Sequence, residues 1–265
     1  MRDSSSLLVA QVSDIHLFAD ASKRLLGLPT LESFQAIVTQ LQALNPQPDL
    51  LLLTGDLSQD GRADAYELLQ DLLCPLGIPT YWLPGNHDKA DVMAEVLVRS
   101  PFSPQKSFQA GGWHFLLLNS GVPGCVHGYL TAASLNWLEV ELSQIGQLPT
   151  IVALHHPPFL VGSEWLDTST LQNAEALFAI LDRYPQVKLV LFGHVHQEYA
   201  CQRRQVDYLG SPSTCIQFEP GSEQFALDQQ APGFRLLRLY PDGTYFTQVE
   251  RSTYCYQPDF AATGY

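Results

Sequence analysis

Positive charge is what this chain has least of. Lys and Arg together number 14 against 27 Asp and Glu, a net charge of −13. So acidic a surface excludes non-specific binding to nucleic acid or to anionic membranes, which needs clustered Lys and Arg. It leaves room for an anionic substrate, provided bound cations make the site itself positive. Cysteine is scarce too: Cys74, Cys125, Cys201, Cys215 and Cys255 are odd in number, widely spaced and lack a Cys-x-x-Cys pair. They fit neither a disulfide framework nor a zinc ribbon and point to a reducing compartment. No apolar run nears the roughly 20 residues of a membrane span. The polar start, Met1–Ser6, lacks the apolar core of a signal peptide. The expectation is a cytoplasmic protein. Internal repeats, low-complexity tracts and an obvious interdomain linker are also missing.

What is present is a chain of 265 residues, 46% apolar and 15% charged, long enough for one large α/β domain. Leu7–Val12 reads as a buried strand followed by Ser13-Asp14-Ile15-His16. Thr30 is placed as a helix N-cap, with Phe34, Ile37, Val38, Leu41 and Leu44 at helical spacing and Pro46 closing the element. Asp49–Thr54 is a second strand, ending in Gly55-Asp56, and Tyr66, Leu69 and Leu73 mark the next helix. Pro79–Leu83 is a third strand, running into Pro84-Gly85-Asn86-His87-Asp88. There follow a helical piece around Val92–Val98, a hairpin of Ser107–Gln109 and Trp113–Asn119 across Gly111-Gly112, and a helix capped by Thr131. Thr150–Leu154 ends in His155-His156-Pro157-Pro158. A loop with Trp165 and Asp167 leads to a helix near Ala174–Leu181, and Val187–Phe192 ends in Gly193-His194-Val195-His196. The tail alternates in short strands, with Asp242-Gly243 as a hairpin turn between Phe234–Tyr240 and Tyr245–Glu250. Repeated strand–loop–helix units predict right-handed crossovers and a largely parallel inner sheet. The expected fold is a four-layer α/β/β/α sandwich, two mixed sheets flanked by helices. It forms a single domain over residues 1–265, with 200–265 as C-terminal strands and tail.

Five strands thus end in side chains able to bind metal: Asp14 and His16, Asp56, Asn86 with His87, His155, and His194 with His196. In an open parallel sheet such carboxyl ends share one edge, where ligands bind. Within Asp-x-His and His-x-His, an extended loop would turn residues i and i+2 to the same side. Alone, Asp-x-His, Gly-Asp and Asn-His-Asp read as turn chemistry and His155-His156-Pro157 equally as a buried, satisfied pair, while Gly-His-Val-His is suggestive by itself; all of them, in this order, read as a metal site. Two carboxylates, four imidazoles and an amide are too many for one tetrahedral ion. They match two ions sharing a carboxylate, roughly 3.5–4 Å apart. Carboxylate and imidazole without cysteine suit Mn, Fe, Zn or Co, with more nitrogen than Mg or Ca prefers.

The ordered blocks Asp-x-His, Gly-Asp, Gly-Asn-His-Asp, His and Gly-His-x-His, spanning residues 14–196, resemble the calcineurin-like metallophosphoesterases. Within that superfamily the chain resembles the bacterial class III cyclic 3′,5′-AMP phosphodiesterases. That similarity lies in Trp82–Asp88, Trp165-Leu166-Asp167, Gly193–Glu198, Pro212–Cys215, Ala231-Pro232-Gly233 and Gln257–Tyr265. The resemblance implies that Asp14, His16, Asp56 and His196 hold one ion, and Asp56, Asn86, His155 and His194 the other, with Asp56 bridging. The motif makes His155 the ligand of its pair and leaves His156 a supporting or substrate-facing role, or none. The implied cofactors are two divalent or mixed-valence ions, Mn or Fe first, with Zn or Co as alternatives.

The implied reaction is hydrolysis of 3′,5′-cyclic AMP to 5′-AMP by a hydroxide bridging the two ions, whose charge lowers the pKa of water. His16, Asp56, Asn86, His87 and His196 would face the substrate. His87, assigned to no ion, is the expected general acid for the 3′-oxygen leaving group. In the protein-phosphatase branch, an acid three residues after the bridging Asp orients this His. Here Gln59 stands at that position and Asp60 follows, so Asp60, Asp88 and a backbone carbonyl are the candidates. A broad-specificity phosphodiesterase, a glycerophosphodiesterase or a phosphomonoesterase with the same dinuclear core is the alternative, its specificity set in loops 17–29, 121–129 and 157–170. A non-catalytic scaffold would show eroded ligands or loss of the His at 87, and neither is seen. The expected partner is a small cyclic nucleotide, with no nucleic acid and no membrane, on a monomer or homodimer.

Overall fold

The computed structural model describes residues 6–264. The polar start expected for residues 1–5 lies outside them, as does Tyr265 at the end of the resemblance. In chain order the main strands are β1 Leu7–Val12, β2 Leu50–Thr54, β3 Thr80–Leu83, β4 Phe102–Ser103, β5 Ser107–Ala110 and β6 Trp113–Leu117. They continue with β7 Thr150–Ala153, β8 Val187–Phe192, β9 Tyr199–Arg203, β10 Val206–Gly210, β11 Gly233–Leu239 and β12 Tyr245–Arg251. One sheet runs β12-β11-β1-β2-β3-β4 and the other β9-β10-β8-β7-β6-β5. Strands β1 to β4 are parallel to one another, as are β6, β7, β8 and β10. The outlying β11, β12, β5 and β9 pair antiparallel. The helices are α1 Thr30–Ala43, α2 Ala63–Leu73, α3 Ala90–Val96, α4 Ala132–Gln144, α5 Glu164–Asp167 and α6 Ala174–Leu181. None of the described helices is long and apolar enough to cross a membrane.

The layering follows from the two-residue period of a strand. Leu50–Leu53 is unbroken leucine because both faces of β2 are covered. Leu51 and Leu53 pack with Phe34, Ile37 and Leu69 of α1 and α2. Leu50 and Leu52 pack with Phe115, Ile151 and Leu189 of the facing sheet. Val152 and Val190 turn the other way, onto Leu138 and Leu142 of α4 and Leu177 and Phe178 of α6. Helix, sheet, sheet, helix is the resulting order.

Several boundaries differ from the expectations. Thr30 is not an N-cap: α1 begins on it behind Pro29, whose φ of −69° already suits a helix start, and no side chain caps the end. That helix stops at Ala43, short of Pro46. Thr131 does cap α4, its Oγ1 accepting from Ser134 N at 3.1 Å. The helix placed around Val92–Val98 begins earlier and ends at Val96. The segment at Trp165 is a single helical turn, α5, rather than a loop. Asp167 at its end accepts from Val161 N at 2.6 Å and Gly162 N at 3.2 Å.

Candidate active site

Asp14 follows β1, Asp56 follows β2 and Asn86 follows β3, all from one sheet; His155 follows β7 and His194 follows β8, from the other. The shared edge of the sequence expectation is therefore a seam between two sheets. Gln11 on β1 fastens that seam. Its Nε2 donates to Thr54 Oγ1 at 3.1 Å and to Phe192 O at 3.0 Å, joining the ends of β2 and β8.

The loops themselves are not extended. Asp14, His16, Asp56, His194 and His196 have φ of 54°, 52°, 50°, 69° and 50°. Left-handed backbone at a residue with a Cβ costs about 1–3 kcal/mol and persists only where the surroundings over-determine it. They do so here. Asp14 N donates to Gly55 O at 3.0 Å, while Ile15 N and His16 N donate to Asp56 O at 2.8 and 2.9 Å. Two glycines make the close approach possible. A Cβ on Gly85 would lie 2.1 Å from Asp56 Oδ1, and one on Gly193 would lie 2.1 Å from Ser13 Oγ and 2.7 Å from Asp14 Oδ2.

The structure brings the expected residues together in two overlapping groups. In the first, His196 Nε2 lies 3.3 Å from Asp14 Oδ1 and 3.1 Å from His16 Nε2, which is 3.9 Å from Asp56 Oδ2. In the second, His155 Nε2 lies 3.2 Å from both Asp56 Oδ2 and Asn86 Oδ1, and His194 Nδ1 lies 3.0 Å from Asn86 Oδ1. Asp56 is common to both.

The outward ring nitrogens decide what the inward ones can do. His16 Nδ1 donates to Gln59 Oε1 at 2.6 Å, His196 Nδ1 to Ile216 O at 2.8 Å and His155 Nδ1 to Thr54 O at 2.9 Å. His194 Nε2 donates to Ser169 Oγ at 2.8 Å, whose own hydroxyl donates to Leu166 O at 2.7 Å. In the neutral form that ligates a cation, each ring therefore points an acceptor lone pair inward, towards carboxylate and amide oxygens that are acceptors as well; without a cation, a proton on His155 takes that place beside Asp56. With the rings neutral, Asp56 Oδ2 is buried there with no hydrogen-bond donor among the described residues. A buried cluster of acceptors is satisfied by cations, and the residues present fit two of them sharing Asp56. The four outward partners (Gln59, Thr54, Ile216 and Ser169) were missed in the sequence. Only Gln59 had left a sign, at the position where an acid was expected. It holds His16 instead.

The electrostatics agree. Burial opposes charge on Asp14 and Asp56, yet the neighbouring His196 and His155 rings outweigh it and hold both carboxyls below their ordinary range. Burial pushes His16 down to about 3, and it also lowers His194. Burial would lower His155 as well, but the Asp56 carboxylate outweighs it and raises that ring to about 9. The cluster favours positive charge beside Asp56.

Half-buried His87 stands at the rim, its ring edge-on to His16 with centroids 5.1 Å apart and its backbone N donating to Asp56 Oδ1 at 2.9 Å. It lines a cavity of about 600 Å³ together with Asn86, Lys89, Asn119, Val122 and Pro123. Asp88 is engaged elsewhere, accepting from Leu57 N, Ser58 N, Gly85 N and Tyr66 Oη. Asp60 accepts from Ser58 Oγ and Ala19 N.

Two sheets back to back between helices, with acceptors clustered where their inner strands end, are the frame of a metallohydrolase. This chain belongs to the calcineurin-like phosphoesterase family, which it matches over residues 7–198. It is 56% identical over 254 residues, 96% of each chain, to a 3′,5′-cyclic-nucleotide phosphodiesterase of Nostoc sp.. It is 41% identical over 262 residues to the 3′,5′-cyclic adenosine monophosphate phosphodiesterase CpdA of Pseudomonas aeruginosa, covering 98% of this chain and 96% of that one. A solved dimetal phosphatase from Danio rerio shares the fold with a TM-score of 0.64 at 13% identity, over 93% of this chain and 99% of the other.

Proposed function

We propose that this chain is a metal-dependent phosphodiesterase that hydrolyses 3′,5′-cyclic AMP to 5′-AMP. The observation that carries the reading is the buried acceptor cluster, whose Asn86, with His87 beside it, lines a cavity of about 600 Å³. That volume accommodates a mononucleotide. The named activities of the relatives from Nostoc and Pseudomonas point to the same substrate class.

In this reading Asp14, His16, Asp56 and His196 hold one cation, and Asp56, Asn86, His155 and His194 hold a second, with Mn or Fe first among the choices. When bound, two such cations supply charge neutralisation for a phosphodiester and acidify water. The remaining work falls to the chain. Gln59, Thr54 O, Ile216 O and Ser169 lock the four rings so that the ligand lone pairs need no reorganisation. His16, Asp56, Asn86, His87 and His196 face the phosphate. His87 donates a proton to the departing 3′-oxygen, a poor leaving group that needs one. The whole of residues 1–265 acts as one domain. The substrate is a small molecule, and the acidic chain has no part for nucleic acid or membrane.

The test is turnover of cyclic AMP beside cyclic GMP, a linear phosphodiester and AMP, with Mn added and with chelator controls. Chelator-sensitive conversion of cyclic AMP to 5′-AMP, with AMP left intact, is the expected result. Turnover of only the linear diester or AMP would move the function to the broader alternative on the same core.

A further inference from the structure

His156 is fully buried beside candidate ligands, yet both its ring nitrogens are taken by the protein. Val126 O can only accept, so Nε2 donates to it at 3.0 Å; Nδ1 therefore accepts from Ser120 Oγ at 2.8 Å. Ser120 Oγ in turn accepts from His156 N at 3.3 Å. The backbone at Gly128 presses on the same ring: a Cβ there would lie 2.5 Å from His156 Cγ. Three points of one loop, residues 120, 126 and 128, thus close around a single imidazole. On its other side that imidazole rests against His155 and His194, with ring centroids 5.0 Å away in each case.

The same loop forms one wall of the cavity beside His87. Asn119, Gly121, Val122, Pro123 and Gly124 face it across from Asn86 and His87. Elsewhere the stretch is tied mainly at its far end, where Gly128 N donates to Thr170 O, Gln172 N to Gly128 O, Leu130 N to Asn173 Oδ1 at 3.0 Å and Asn173 Nδ2 to Leu130 O at 2.8 Å. The part that lines the cavity has only local ties among the described residues, Gly121 N to Asn119 Oδ1, Cys125 N to Val122 O and Tyr129 N to Ser120 O, besides those to His156. Val126 itself is 60% exposed, so its carbonyl, not its side chain, is what holds it down.

We propose that His156 is a positioning residue that fixes loop 119–130 as the wall contacting the nucleoside part of the substrate. It sets affinity for a nucleotide while leaving the phosphate chemistry to its neighbours. This rests on the nucleotide reading above. A wall pinned at three points presents one shape to the ligand. Unpinned, it must be ordered by the ligand, and that cost is subtracted from binding.

Two variants separate the role from a merely structural one. His156→Phe keeps an aromatic ring but removes both hydrogen bonds; His156→Gln keeps a donor for Val126 O. The expected result for His156→Phe is a KM for cyclic AMP about tenfold higher, the equivalent of one interaction of ordinary size. Its kcat and metal content should be unchanged, as should kcat/KM for methyl p-nitrophenyl phosphate, which is too small to reach the wall. His156→Gln should recover most of the KM. Amide hydrogen exchange should accelerate at 119–130 in His156→Phe and not in β7 or β8. Equal losses on both substrates, or loss of metal, would overturn the proposal by making His156 part of the metal site. If the wild-type chain turned over no cyclic AMP, the nucleotide reading would fall. Exchange would then still decide the anchoring, with acceleration confined to 119–130 supporting it and no acceleration overturning it.

Discussion

In the proposed function the chemistry divides from the metal site at position 87. His87→Ala should retain metal but slow hydrolysis of a cyclic nucleotide by roughly 10²–10⁴-fold, while a p-nitrophenyl ester, which needs no proton on leaving, suffers much less. Kinetics on the two substrates check this, and equal losses would remove the general-acid role. Gln59 makes a second residue-scale prediction. Gln59→Ala takes away the acceptor of His16 Nδ1, so metal affinity should drop by about 10–100-fold without a matching loss of stability, as read by metal titration. The side chains at Asp14, His16, Asp56, Asn86, His155, His194 and His196 were legible because each stands directly after an apolar strand. Their outward partners were not. Thr54 and Ile216 contribute backbone carbonyls, which every residue carries, and Ser169 reaches His194 from 25 residues away. Such contacts leave no mark on local pattern.

At the scale of the element, the turn after each strand matters more than the strand. Strands β1 and β8 were placed to the residue by their hydrophobic runs, and helix α6 lies where a helix was expected near Ala174–Leu181. The conformation beyond them was misjudged as extended, whereas five Asp and His residues adopt positive φ. Asp and His are several-fold enriched there, but the residue type only permits that conformation. The donors from Asp14, Ile15 and His16 to the next strand's loop select it, and that pairing is tertiary. The β9–β10 hairpin was legible only as alternation, because its turn lacks Asn-Gly or Asp-Gly and uses Arg204 at φ 55°. Gly193 carries the element-scale prediction. Gly193→Ala places a methyl against Ser13 and Asp14, pushing the ends of β1 and β8 apart. Circular dichroism should show a folded chain, and metal affinity should be at least tenfold weaker, a modest displacement at this distance being worth that much. Unchanged metal binding would show that the seam can yield.

Across the whole molecule, two sheets are held in register by a few polar ties as well as by their shared core. Gln11 is one of them. Lys106 is another: it precedes β5 in the second sheet, and its Nζ donates to Trp82 O of β3 in the first, lying over the Trp82 ring. Burial pushes its ammonium from 10.5 down to about 7. The unfolded chain therefore binds more protons than the folded one between those values, and stability rises with pH across that window. Compared with Lys106→Met, which has no such proton, the wild type should gain stability between pH 7 and pH 10, as followed by chemical denaturation at both. A constant difference would contradict the burial argument. The layered architecture was legible from sequence because each sheet's inner strands are apolar on both faces. That the meeting strand ends belong to two sheets and not to one edge was not, since three come from one sheet and two from the other.

The most direct test of the account is metal content per chain measured alongside cyclic AMP turnover, as metal is added back to the chelated protein. The account predicts two ions bound per chain, with conversion of cyclic AMP to 5′-AMP appearing as the pair fills and lost again on chelation. Full turnover with no metal, or with a single ion and no gain from a second, would contradict it.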